Sequence, residues 1–393
     1  MNIDVLIDTK IQEFINKNLN INIEEFILKK NIFNDINNVD IAKQIESKNI
    51  AKEKLPIWFN TKNIVYPKKL NLAQSTSQKV AEYKSTLFNG TTCADITGGF
   101  GVDTYFLSKS FNKVFYFEID IELATIAKHN FKVLEAENII AFAKNGSESL
   151  DEVNDNLQMI YIDPSRRNKS KGKVFLLEDC QPNLIEKLPY YFKYANKVVA
   201  KLSPMIDLQT ITNTLPYCKQ IWLIALHNEL KEVLVEMQKN HKLQSIITAV
   251  NIEESTNQTH TFTNNQIKIK ANYSLPKKYL YEPNVALLKS GRFEEIATSF
   301  SVNKLNVNTH LYTSDVLRDF HGRRFLIQQV IPFKKQFVKE HLYNKQINVS
   351  IRNFPLKPEE IKSKYKIKDG GSVYAFFITN MLNEKIVLLC QKI

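Results

Sequence analysis

Residues 95–103 read Asp95-Ile96-Thr97-Gly98-Gly99-Phe100-Gly101-Val102-Asp103, closing an apolar run that starts near Thr91 and opening a helix-like segment. Glycines at a strand-to-helix turn reach positive φ and let the backbone approach a ligand that a side chain would push away. A second apolar run, KVFYFEID (113–120), brings in Glu118 twenty residues after Gly98. A carboxylate at the tip of a second strand can accept both hydroxyls of a ribose, so the two elements together predict a nucleoside site. The turn carries an acid ahead of its glycines and lacks GxGxxG spacing, which favours a sulfonium nucleoside over a dinucleotide.

The same rhythm continues on either side of this pair. Short apolar runs, TCADIT (92–97), NIIAFAKN (138–145), QMIYID (158–163), KVVAKLS (197–203) and QIWLIALHN (220–228), are separated by helix-like stretches. Strands alternating with helices predict crossovers, a parallel sheet and the α/β class. After residue 229 the pattern changes to neighbouring β-like runs, ELKEVLVEM (229–237), SIITAVNI (245–252) and THTFTNNQIKI (259–269), the first of which can return antiparallel at the edge of the main sheet. Upstream, Ile11, Phe14, Ile15 and Leu19 recur at helical spacing, and a Pro- and Lys-rich linker is expected from Leu55 and Pro56 to Pro67. QSTSQKVAEYKSTLF (74–88) then reads as an amphipathic helix capped by Ser or Thr. YLYEPNVALLKSGRF (279–293) precedes a final stretch reading strand, helix, strand, helix, strand: RRFLIQQV, PFKKQFVKEHL, QINVSIRN, KPEEIKSKY and VYAFFITN.

A chain of 393 residues exceeds the size at which one core stops growing, so more than one domain is expected. Hydrophobic residues make up 44% and charged residues 24%, which describes a folding, globular chain. Its formal net charge of +12 suits a polyanionic partner such as nucleic acid, or reflects no more than a Lys-rich background. Cys93, Cys180, Cys218 and Cys390 show neither CxxC nor Cys/His spacing, so no metal site and no disulfide framework is indicated. The N-terminus has no charged segment followed by an apolar one, and no apolar run reaches the length of a membrane span. A cytoplasmic location with no membrane partner follows as the expectation.

These residues resemble the class I S-adenosylmethionine-dependent methyltransferases. The resemblance implies a Rossmann-like sheet over about residues 70–230 and S-adenosylmethionine as cofactor. Asp95 and Gly98 match positions facing the methionine part, and Thr97, Gly99 and Gly101 belong to the same turn. Glu118, followed by Ile119, matches the ribose acid, while Asn145 and Gly146 lie at the end of strand three, where the family places an acid against adenine and this chain has Ser147. Asp163, Pro164 and Arg166 of DPSRR end the fourth strand, the usual position of the catalytic motif. Amino-group methylases of nucleic acids carry two prolines and an aromatic after that acid, where Ser165 and Arg166 stand here.

More specifically, DITGGFGVD, DPSRR, LEDCQPNL, KLSPMIDL and INVSIRNFPL with KIKDGG resemble a bacterial group of methyltransferases with a THUMP-like C-terminal domain, over nearly the whole chain. The expected organisation is a helical region over 1–69, the Rossmann-like methyltransferase domain over 70–240, a small β-rich or ferredoxin-like segment over 241–304 and a smaller α+β THUMP-like domain over 305–393. The implied activity is methylation of an RNA base. Its rival is a non-catalytic RNA- or partner-binding protein that keeps the fold, and a small-molecule or protein methyltransferase has no evident use for the C-terminal domain.

Beside Asp163 the basic residues Arg166, Arg167, Lys169, Lys171 and Lys173 form a path for a phosphate backbone or a solvated loop. Arg318, Arg323, Arg324, Lys334, Lys335 and Arg352 give the C-terminal region a similar character, with Phe325 and Phe333 either stacking bases or packing a core. Lys201, Ser203 and Pro204 end strand five, as substrate contacts or as a plain loop. Cys180 reads as a buried structural thiol rather than a nucleophile.

Overall fold

A computed structural model describes residues 2–166, 177–262 and 269–393. They divide into two compact units, Met1–Gln220 with Glu232–Leu243 and Ile221–Lys231 with Gln244–Ile393. Among the described residues no helix is long and apolar enough to cross a membrane.

The first unit begins with helices α1 (Ile3–Leu6), α2 (Thr9–Lys17), α3 (Ile23–Ile27), α4 (Asn38–Lys54), α5 (Pro56–Asn60), α6 (Lys69–Gln74) and α7 (Gln78–Ser85). Ile11, Phe14 and Ile15 lie on α2 as their spacing predicts, whereas Leu19 falls in the turn beyond it. The expected linker 55–67 is largely internal: Val65 and Tyr66 are buried, and Asn130 bonds both the Val65 N–H (3.0 Å) and its carbonyl (2.8 Å). The Pro- and Lys-rich composition predicted a linker and gave no sign of helix α5 at Pro56–Asn60. It did not reveal that a distant carboxamide supplies the missing backbone partners.

The sheet follows as β1 (Gly90–Asp95), α8 (Val102–Leu107), β2 (Phe111–Phe117), α9 (Ile121–Val133), β3 (Ile139–Phe142), β4 (Leu157–Ile162), a small ladder of β5 (Ser165–Arg166) with β6 (Cys180–Gln181), α10 (Leu184–Tyr191), β7 (Ala195–Leu202) and α11 (Leu208–Thr214). Strands β3, β2, β1, β4 and β7 lie side by side and run parallel. β8 (Cys218–Leu226) and β9 (Glu229–Gln238) are joined by His227 and Asn228, both at positive φ as a tight hairpin requires. β9 pairs antiparallel with β7, so this run does return antiparallel as its position suggested.

The amino-terminal helices share their core with the sheet. Trp58 on α5 is fully buried, its ring 5.0 Å from Tyr105 and 6.0 Å from Phe106 on α8 and 6.3 Å from Phe100 in the glycine turn. The expected boundary at residue 69 thus falls at the first residue of α6 and inside one packed body.

In the second unit, β10 (Ile246–Ile252) pairs antiparallel with β11 (Gln258–Phe262). β12 (Tyr279–Pro283), α12 (Val285–Lys289), α13 (Phe293–Ser299), β13 (Asn303–Lys304), β14 (Tyr312–Ser314), β15 (Gly322–Pro332), α14 (Lys335–Leu342), β16 (Asn348–Arg352), α15 (Pro358–Tyr365), β17 (Val373–Thr379) and β18 (Lys385–Lys392) follow. Seven strands form one sheet in the order β13-β14-β12-β15-β18-β17-β16, so the expected boundary at 304/305 falls within a continuous sheet. β18, beyond the last strand read from the sequence, lies between β15 and β17. Phe325 is fully buried under this sheet, and Phe333 packs against Phe354 (4.9 Å) and Phe377 (6.0 Å). Phe325 is core and the half-buried Phe333 is packed against aromatic neighbours, which favours the packing reading of both positions.

Truncating Trp58 should unsettle both layers it joins. Trp58→Ala is expected to cost about 3–5 kcal/mol, the usual range for a buried tryptophan, read from urea unfolding; a loss below about 1 kcal/mol contradicts the shared core.

Candidate active site

The cleft lies where the parallel strands end, the edge at which open α/β sheets hold their ligands. The tip of β1 supplies Asp95, fully buried. Thr104 donates to it at 2.7 Å and the Thr97 N–H at 3.1 Å, so the carboxylate is fixed before any ligand arrives. Gly101 stands at the N-terminal cap of α8 with φ +83, and a Cβ there would meet the Phe131 ring at 2.4 Å, so both conformation and space demand glycine. Gly98 and Gly99 line the cavity beside it.

Glu118, at the tip of β2, accepts the Gly99 N–H at 2.9 Å with one oxygen and the Asp120 N–H at 2.9 Å with the other. It thereby ties the glycine turn to the next strand, and it lines both cavities of the cleft. Ile119 is 68% exposed and lines the cleft with Asn145 and Gly146. A Cβ on Gly146 would lie 2.6 Å from the Ile96 carbonyl, so this glycine lets the end of β3 close on the end of β1. Asn145 accepts the Ser147 N–H at 3.1 Å, and buried Ser147 accepts a hydrogen bond from the Tyr191 hydroxyl at 3.0 Å. Ser147 therefore serves α10.

Asp163 follows β4, and its N–H bonds the Thr97 hydroxyl at 2.6 Å. Lys201 on β7 meets its carboxylate at 2.5 Å. Pro164 is buried behind it. The Arg166 side chain and residues 167–176, with Arg167, Lys169, Lys171 and Lys173, lie outside the described residues. Ser203 accepts the Met205 N–H at 3.2 Å in a strand-end turn. Cys180 is buried, as a structural thiol should be.

Two cavities meet here, one of about 310 Å³ and one of about 510 Å³. Thr97, Glu118, Asp163 and Ser165 line both. The smaller is walled by Asp95, the glycine turn, Thr76 and Lys201. The larger is walled by Ile96, Asn145, Ser147 and the segment Gln181–Asn183.

Behind the smaller cavity runs a set of charges that sequence reading missed. The Lys84 ammonium on α7 lies 2.8 Å from Asp103 and 3.0 Å from Glu232, and donates to the Tyr161 hydroxyl at 2.9 Å. Asp103 also accepts from Thr76 at 2.8 Å and Tyr161 at 3.1 Å. Burial works against the Asp103 charge, but the two lysines win and hold its pKa below the ordinary value; burial raises that of Glu232. Glu232 carried a signal, an acid inside the apolar run of β9. Lys84 sits among polar neighbours on a short helix and carried none. Ser77 caps α7 by position, yet its hydroxyl makes no cap bond.

Residues 279–320 match the model of a ferredoxin-like domain family and residues 322–392 that of a THUMP domain-like family. Over 98% of its length the chain aligns with 97% of a solved protein of Porphyromonas gingivalis W83 described as a candidate methyltransferase, at 32% identity and a TM-score of 0.87. The chain belongs to the class I methyltransferases with a THUMP-like C-terminal domain. Two further solved structures align with 41% of the chain at 15% identity: an rRNA methylase from Streptococcus thermophilus (93% of its length, TM-score 0.31) and TrmK of M. capricolum bound to S-adenosyl-homocysteine (68%, 0.32). No curated protein sequence matches it.

Burial pushes the pKa of Asp95 up to about 7, against the hydrogen bonds from Thr104 and Thr97 that lower it. The unfolded chain loses this proton near pH 4, so folding takes up a proton between about pH 4 and 7 and the contribution of Asp95 to stability falls as pH rises through that window. Asp95→Asn should therefore gain stability relative to wild type progressively from about pH 4 to 7 in urea unfolding, levelling off above. A difference that stays flat across that range contradicts the assignment.

Proposed function

We propose that this methyltransferase-family protein transfers a methyl group from S-adenosylmethionine to a base of tRNA or rRNA. The observation that carries the reading is the joint cleft, with Asp163 and Glu118 at the meeting of its two cavities. Four acidic residues line the smaller cavity, Asp95, Asp103, Glu118 and Asp163, against the ammonium of Lys201, and Glu148, Glu186 and Lys187 line the larger. That balance fits a cationic sulfonium with an ammonium tail better than a phosphate-bearing nucleotide. Asp95 and the turn at Gly98, Gly99 and Gly101 would hold the amino-acid part, Glu118 the ribose hydroxyls, and Ile119, Asn145 and Gly146 the base. When bound, S-adenosylmethionine supplies an electrophilic methyl carbon.

The chain's own contribution is orientation. Lys201 holds one carboxylate oxygen of Asp163, which fixes that side chain and leaves the other oxygen to accept a hydrogen bond from the target group. That bond turns a lone pair of the nucleophile towards the methyl carbon, and proximity with alignment can supply most of the rate. The two sides of the cleft are set by β1 and β4, adjacent and parallel, so reacting groups on them keep a fixed separation. A THUMP-like region and a net charge of +12 support RNA as the substrate. Arg323 and Arg352 are taken up by Glu282, which accepts Arg352 at 2.6 Å, whereas Arg318, Lys334 and Lys335 remain exposed.

Asp163→Asn keeps the shape and loses the charge. Methyl transfer from labelled cofactor to bulk RNA of a strain lacking the protein should fall about a hundredfold or more in a variant that stays folded, with a lowered unfolding midpoint because Lys201 loses its charged partner. Wild-type rates from the variant remove Asp163 from the chemistry. An intact protein that binds the cofactor and methylates no RNA favours the non-catalytic rival.

A further inference from the structure

The loops that follow α14 and α15 are stitched together by backbone. The Asn344 N–H bonds the Tyr365 carbonyl at 3.0 Å, the Lys368 N–H the Lys345 carbonyl at 3.0 Å and the Ile347 N–H the Lys368 carbonyl at 2.9 Å. Asn344 and Lys366 take positive φ, which turns the chain out of each helix and into this pairing. Tyr365, Leu342 and Ile347 are buried beneath it. The result is a fixed ledge at the end of two helices.

Tyr343 stands on this ledge and is 38% exposed, against the usual burial of an aromatic of its size in a core. Two ammonium groups approach its ring, Lys339 from α14 at 5.4 Å and Lys366 from the loop after α15 at 5.6 Å. Lys345 and Lys368 on the two loops and Lys364 at the end of α15 are exposed, the last over the Tyr365 ring at 5.7 Å. Over 339–345 and 362–369 six lysines face two acids, Glu340 and Asp369, and Asp369 is taken up by Lys362 at 2.7 Å. Such a surface repels basic partners and favours a polyanion. It offers one π-face and several mobile cations around it.

We propose that Tyr343, with Lys339, Lys345, Lys366 and Lys368, forms a stacking platform for an unpaired nucleobase of a single-stranded RNA segment. The inference rests on the RNA reading above and adds the place and mode of contact. A base stacks on the phenol ring, and the ammonium groups that lie over the ring swing to the phosphates on either side. Stacking on a single aromatic is sequence-tolerant because every base has a π-face. A duplex keeps its bases stacked on each other and can meet only the lysines. The platform therefore prefers single strands, with a salt dependence set by the lysines and a salt-independent part set by Tyr343.

The test is fluorescence anisotropy of the full-length protein with a labelled twelve-nucleotide oligoadenylate and, separately, a twelve-base-pair RNA duplex, from low to moderate salt. Wild type should bind the single strand more tightly. Tyr343→Ala should weaken that binding about 5- to 150-fold, with little change in the slope of log K against log salt, while Tyr343→Phe keeps the affinity. Lys366→Ala should lower the slope by about 0.7. Equal single-strand affinity for Tyr343→Ala and wild type overturns the platform and leaves the RNA reading in place. A wild-type protein that binds neither RNA at low salt overturns both. A preference for an acidic peptide of matched charge over the oligoadenylate overturns the choice of RNA as occupant.

Discussion

The ammonium of Lys84 is 3% exposed, and the cleft depends on where it is held. An isolated buried charge is untenable in a low-dielectric interior, and breaking such a set by removing one partner typically costs about 3–5 kcal/mol. Lys84 is compensated by Asp103 of α8, Glu232 of β9 and the hydroxyl of Tyr161 on β4. Asp103 in turn lies 3.9 Å from Lys201, which holds Asp163. Charges of alternating sign thus run from the interior to the cleft. Because each must keep its partner, α7, α8, β4, β7 and β9 are pinned at the points where they wall the site.

On the other side of the cleft the constraint is backbone. Glu118 accepts the Gly99 N–H, and Asp95 accepts that of Thr97, so the glycine turn is fastened at both ends by carboxylates. Glycines give this turn its shape and the two acids take away its freedom. A ligand meeting it loses little further entropy, which is the advantage of a site formed in advance. In the proposed function Glu118 would also meet polar groups of a nucleoside, so one side chain would serve both folding and recognition.

Sequence made the sheet legible because hydrophobic burial repeats along the chain: each buried parallel strand is a short apolar run, and the glycine turn marks where the first one ends. It also located Asp95, Glu118 and Asp163, since strand ends are where such runs stop at an acid. What it could not show was pairing across distance. Lys84 and Asp103 are 19 residues apart, and Glu232 lies 148 beyond Lys84, so nothing local marks them as one group. Of the two readings of Phe325 the packing one holds, for a related reason. Basic neighbours in sequence point along the strand, while the side chain itself turns under the sheet. Tyr343 is instead approached by Lys366 from a second loop, which its own sequence neighbours do not announce.

The account stands on the identification of the cleft as a site for a sulfonium nucleoside with Glu118 on its ribose. Isothermal titration of S-adenosylhomocysteine into the wild-type protein and Glu118→Ala, with unfolding midpoints measured in parallel, tests it directly. Saturable one-site binding is expected for wild type, with affinity lowered about 5- to 150-fold in the variant, equivalent to about 1–3 kcal/mol for hydroxyls left unpaired, while the variant stays folded. A folded Glu118→Ala that binds as tightly as wild type, or a wild type that takes up no ligand, contradicts it.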